Sequence, residues 1–135
     1  MNLPKTLRQR FEFLTSEYDF TYVGQRDIYN RGFSLLFQKD DLFLRISLEW
    51  PFMLSIMRVC AESIHEGFLW HKEDRYIEEL LKDINAEVYH NITKESRLLY
   101  KRLSKDISAR ERKKIEDELI AIEVEATKIY LSQQR

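Results

Sequence analysis

The residue types that could hold a metal ion are His65, His71 and His90, with Glu66 and Glu73 beside them. Paired ligands on one helical face need a four-residue step, as in His-Glu-x-x-His, and these five residues do not supply it. They read as surface or core-edge side chains, and no metal or other cofactor is expected. Glu17 and Asp19 are close in sequence, but two-acid hydrolysis needs a cleft and a set separation that neither residue implies. No serine elbow, phosphate-loop lysine or dinucleotide fingerprint is present, and three glycines leave little material for a phosphate cradle. Cys60 is the one cysteine, so no disulfide can close within the chain. At the end of an apolar run it reads as a small buried hydrophobe. Catalysis is therefore not expected, and a small enzyme with a pocket between the first helix and the sheet is a distant alternative.

Charge is more informative than any motif. The formal net charge is −1, yet it is arranged in blocks. Residues 73–87 are acidic through Glu73, Asp74, Glu78, Glu79, Asp83 and Glu87. Lys94, Arg97, Lys101, Arg102, Lys105, Arg110, Arg112, Lys113 and Lys114 then make a basic block, followed by Glu116, Asp117, Glu118, Glu123 and Glu125. Such alternation suits adjacent helices with complementary solvated faces. It also allows a nucleic-acid-facing basic segment over 94–114, or an acidic face that binds a basic protein. Tyr100 is the only aromatic in the basic block, so base-stacking platforms are missing and nucleic acid is the weaker reading.

These residues must be held by something, and residues 32–60 supply it. Leu42, Leu44, Ile46, Leu48 and Trp50 alternate with Phe43, Arg45, Ser47 and Glu49, the period of a strand. Phe33, Leu35 and Phe37 share a face in the run before, and Leu54 and Ile56 in the run after. Short polar breaks make these an antiparallel meander with one strongly apolar face. The opposite face, with Phe43, Arg45 and Met57, has the mixed composition of a protein-binding patch; equally, C-terminal helices could cover it.

Before the meander, Leu7, Phe11, Leu14 and Tyr18 predict a helix over 4–18, and residues 19–23 read as extended, either a paired strand or the approach to one. Residues 61–72 read only as a connection. From Glu73 a helix is predicted with Ile77, Leu80, Leu81, Ile84 and Val88 inward and Glu79, Asp83 and Glu87 along one flank. Thr93 is read as the cap of a third helix carrying Leu99, Leu103 and Ile107. Ser108-Ala-Arg-Glu111 reads as a capping box that opens the last helix. There Ile115, Leu119, Ile122, Ala126 and Ile129 form a heptad seam, with Ile120, Val124 and Leu131 on a second side. A helix apolar on two sides touches two internal neighbours or another chain, so a homodimer through it stays open.

The expectation is one α+β domain over residues 1–135: an N-terminal helix and antiparallel sheet of three to four strands, then a helical region over 73–135. At 44% hydrophobic and 33% charged residues the chain is expected to fold into a globular unit. Met-Asn-Leu-Pro-Lys lacks an apolar signal core and no run approaches membrane length, which points to the cytoplasm and to no membrane partner.

The phrase Phe11-x-Phe-Leu14-x-x-Glu17-Tyr18-x-Phe20, leading from a helix into strands, resembles the opening of small bacterial immunity proteins of polymorphic-toxin and contact-dependent growth inhibition systems. Those often carry a Phe-Leu-x-x-Glu-Tyr-Gly-Phe-like phrase; Asp19 stands here where glycine is common. The resemblance covers about the first third of the chain and carries over no functional residue. It implies a non-enzymatic inhibitor that masks the active site of a cognate toxin, often a nuclease. On that reading the partner is a basic toxin domain, and the candidate contacts are Glu79, Asp83 and Glu87 or the sheet side with Phe43, Arg45 and Met57.

Overall fold

The computed structural model describes residues 3–28, 30–61 and 72–134. The chain divides into two compact units, Met1–Ile77 and Glu78–Arg135, taken here in turn. The class is α+β, as predicted, with a five-stranded sheet where three to four strands were expected.

In the first unit, α1 (Leu3–Arg10) and α2 (Phe13–Ser16) replace the single predicted helix. A tight turn at Phe11-Glu12 separates them, with Leu14 N–H donating to Phe11 O at 3.1 Å. The break lets Phe13 turn inward beside Phe11, their rings 5.8 Å apart. Five strands follow in sequential antiparallel order: β1 (Thr21–Asp27), β2 (Gly32–Lys39), β3 (Leu42–Glu49), β4 (Met53–Val59) and β5 (Arg75–Tyr76). Residues 19–23 thus lead into a paired strand, bulged between Tyr22 and Gly24. The fifth strand was unexpected, because Arg75 and Tyr76 sit within a stretch read as helical.

Gly32 opens β2 with φ +152°, and a Cβ there would stand 1.9 Å from the Leu48 carbonyl oxygen. No side chain fits at this meeting of β2 and β3. The apolar row Leu35, Ile46 and Ile56 runs across the three central strands in register. It is buried together with Leu7, Phe11, Leu14, Phe37, Leu44 and Leu54. α1 packs on β2, helped by Arg8, whose guanidinium lies 3.9 Å from the centre of the Tyr22 ring. Trp50 is the exception to the predicted facing. It falls after β3, follows the pleat no further, and is 49% exposed, its ring resting beside Phe33.

The second unit is helical: α3 (Ile77–Ile84, its first residue belonging to the first unit), α4 (Ala86–Leu103) and α5 (Ala109–Gln133). The predicted 73–88 helix is cut at Asn85, which is extended and caps α4 by accepting from Val88 N–H at 3.2 Å. Thr93 is not a cap; it lies inside α4 and its hydroxyl donates to Tyr89 O. Ile107 lies beyond the end of α4, in the turn. Ser108 caps α5 as expected, accepting from Glu111 N–H at 3.1 Å.

α4 and α5 pack together. The buried stripe of α5 is Ile115, Leu119, Glu123, Ala126 and Tyr130, not the predicted heptad. A straight helix advances 3.6 residues per turn, so the inward line drifts off a strict seven-residue repeat. Ile122 and Ile129 are left half-buried beside it. On the second apolar side Ile120 and Leu131 are also buried, and Val124 is half-buried.

Candidate protein-binding site

The acidic flank begins on α3. Ile77 and Leu81 are fully buried, and successive residues on a helix are separated by about 100°. Glu79 therefore projects about 200° from Ile77 and Asp83 about 200° from Leu81, and both are exposed. Four-residue spacing makes them neighbours on one line. Glu87 does not continue that line, since the chain redirects at Asn85 and Glu87 stands in the first turn of α4. A carboxylate there also stabilises the helix N-terminus, as Glu79 does in the first turn of α3. Among the described residues none of the three forms an ion pair. Lys82, the cation among them, leans over the Tyr89 ring at 5.8 Å.

The alternative site on the sheet is different in kind. Leu36, Arg45, Met57 and Tyr76 stand in one cross-strand row opposite the Ile46 face. Arg45 and Met57 are 7% and 4% exposed, so they form no open patch. Phe43 alone of the three keeps partial exposure, packed against Leu36, Met57 and Val59. The reason is composition: with three apolar neighbours, this face had too little polar surface to stay in water. The Arg45 guanidinium donates to Met57 Sδ at 3.5 Å. Burial pushes its pKa below the ordinary value, while the nearby Asp74 and Tyr76 act in the opposite sense. Asp74 is itself buried and accepts from Cys60 N–H at 3.0 Å. Cys60 is half-buried rather than enclosed. Arg45 and Asp74 are thus both secluded from solvent.

The basic segment is partly consumed by the α4–α5 turn. Arg102 pairs with Glu111, and Arg112 donates to Leu103 O at 2.9 Å, closing the end of α4. Arg112 also lies 4.0 Å from Glu116. Lys94, Arg97 and Lys101 remain exposed along α4. The histidines and acids weighed as metal ligands lie largely outside the described residues, which include Glu73 and His90 but not His65, Glu66 or His71. Among the described residues no group of three metal-ligating side chains gathers. No helix among them is long and apolar enough to cross a membrane.

No protein family, curated protein or solved structure matches this chain.

Two polar features escaped the sequence reading. Asn85 was passed over because the apolar period runs through it, although a short polar residue followed two positions later by Glu87 is a helix-start signal. Glu123 is buried on α5, and that burial, with Glu78 acting in the same sense, pushes its carboxyl well above the ordinary carboxylate range. Tracking the stripe at 3.6 residues instead of seven would have placed it inward.

Proposed function

We propose that this protein is a non-enzymatic immunity protein, acting in the cytoplasm, that binds a cognate bacterial toxin and masks its active site. The observation that supports this reading most is the Glu79–Asp83 line. Among the described residues these two exposed carboxylates have no ion-pair partner, and their helix is anchored on the opposite side by Ile77 and Leu81. Charges held on a fixed element lose little ordering entropy when a cationic surface arrives. The partner of matching chemistry is a toxin with a basic active-site surface, as a nuclease needs for its phosphate substrate. Seating the acidic line there excludes substrate by charge and by bulk.

The test uses the toxin encoded beside this gene, and the double change Glu79→Lys with Asp83→Lys. Glu87 is left intact because it stands off their line, in the first turn of α4. Association should slow by about tenfold at low salt, with the deficit shrinking as salt rises, since steering is screened beyond about 10 Å at 0.1 M. Protection of toxin-expressing cells should fall with it. Unchanged association and full protection would move the contact elsewhere, and a toxin that does not bind the wild-type protein at all would end the immunity reading.

A further inference from the structure

α3 and α4 each carry an exposed row of like charge. Glu79 and Asp83 stand on the outward side of α3, and Arg97 and Lys101 on the side of α4 away from its buried Ser96, Leu99 and Leu103. Lys94, exposed one turn before Arg97, extends the second row. Residues three or four apart on a helix are neighbours, and like charges placed so repel. Among the described residues none of these five side chains forms an ion pair. Each row therefore weakens its own helix, and opposite charge brought from outside the fold would relieve it.

The two rows match each other. Glu79 and Asp83 are separated by a rise of about 6 Å along α3, and Arg97 and Lys101 by the same rise along α4. Setting α3 of one copy antiparallel to α4 of another places Glu79 opposite Lys101 and Asp83 opposite Arg97. The next residue in each case is an exposed aliphatic, Ile84 after Asp83 and Leu98 after Arg97, at 36% and 56% exposure. Each charged contact thus has apolar surface beside it to bury. We propose that two copies of this chain associate about a two-fold axis, α3 of each laid against α4 of the other. The two-fold makes the contact reciprocal and closes the assembly at two.

The apolar residues decide between a second copy and nucleic acid. A phosphate backbone would meet the basic row alone and leave Leu98 in water, and half-buried Tyr100 offers no platform for bases. A second copy answers both rows and covers both aliphatic side chains. Glu79 and Asp83 are also the proposed toxin contact, so toxin and second copy exclude one another; that consequence alone rests on the immunity reading.

The experiment is sedimentation velocity of the full chain over a range of concentrations in low and high salt. Exposed ion pairs each contribute little, so the dimer should dissociate at roughly 10–100 µM in low salt. In about 500 mM salt it should loosen about tenfold, because the screening length shortens. Glu79→Lys with Asp83→Lys, and separately Arg97→Glu with Lys101→Glu, should each sediment as folded monomers, the fold checked by circular dichroism. Mixed in equal amounts these two variants should dimerise, since every contact then joins opposite charges. Arg110→Glu with Lys114→Glu, exposed on α5 outside both rows, should dimerise as the wild type does. If a reversed variant does not fold, Glu79→Gln with Asp83→Gln should still loosen the dimer. A wild-type monomer in low salt, growth beyond two copies, reversed variants that dimerise alone, or a mixture that stays monomeric would overturn the proposal. So would loss of the dimer in the Arg110 and Lys114 variant. No toxin enters the measurement, so the dimer and the immunity reading fail separately.

Discussion

Replacing Ile46 by alanine probes the element that the first unit is built on. Ile46 is fully buried at the middle of β3, flanked in register by Leu35 on β2 and Ile56 on β4. The change removes the carbons beyond Cβ. At ~0.8 kcal/mol per buried carbon the lost transfer energy is about 2.4 kcal/mol. Neighbours held by two ladders collapse only partly into the gap, and the cavity raises the total to roughly 3–4 kcal/mol. With a urea slope of about 1.5 kcal/mol per molar, the unfolding midpoint followed by far-ultraviolet circular dichroism should fall by about 2 M. Met53, 61% exposed on β4, is the control, and its change to alanine should stay within about 0.5 kcal/mol. An Ile46→Ala midpoint close to wild type, or a Met53→Ala loss as large as that of Ile46→Ala, would show that the facing of the sheet has been misread.

Two further outcomes are expected. Asn85→Ala and Ser108→Ala should each cost about 1 kcal/mol, since each removes the acceptor that caps a long helix; Thr93→Ala, inside α4, should cost less than either in the same urea titration. Nucleic acid should not bind tightly at physiological salt, because Arg102 and Arg112 are engaged within the α4–α5 turn; submicromolar, steeply salt-dependent binding in a fluorescence anisotropy titration, lost in an Arg110→Ala, Arg112→Ala, Lys113→Ala, Lys114→Ala variant, would reverse that view.

The meander was legible because a period of two is hard to mistake where every second residue is Leu, Ile or Phe. Turn chemistry and tertiary pairing were less visible. β5 is two residues long and has no period of its own; it exists by pairing Arg75 with Arg58 and Tyr76 with Met57. The first helix looked continuous because Leu7, Phe11 and Leu14 keep helical spacing, and the spacing is blind to the tight turn that brings Phe13 inward. The candidate site was legible in its charges but not in its geometry. Glu79 and Asp83 share a line, while Glu87 was joined to them only by ignoring Asn85. The patch at Arg45 and Met57 was assigned correctly to a face of the sheet, but facing does not decide whether a face is open. That depends on contacts distant in sequence.

Helix geometry separates the two sides of α3. Ile77 and Leu81 are fully buried, while Glu79 and Asp83, each turned about 200° from the buried residue two positions before it, are exposed. Charge reversal at Glu79 and Asp83 should alter encounter with a cationic partner while costing no more than about 1 kcal/mol at each position, because neither side chain is packed. Leu81→Ala should do the reverse, costing about 2–5 kcal/mol in the same urea titration while leaving the outward line charged. The two perturbations act on different sides of the same eight-residue helix. If reversal at Glu79 and Asp83 cost as much stability as Leu81→Ala, the outward placement of these carboxylates would be wrong, and the binding face would have to be sought elsewhere.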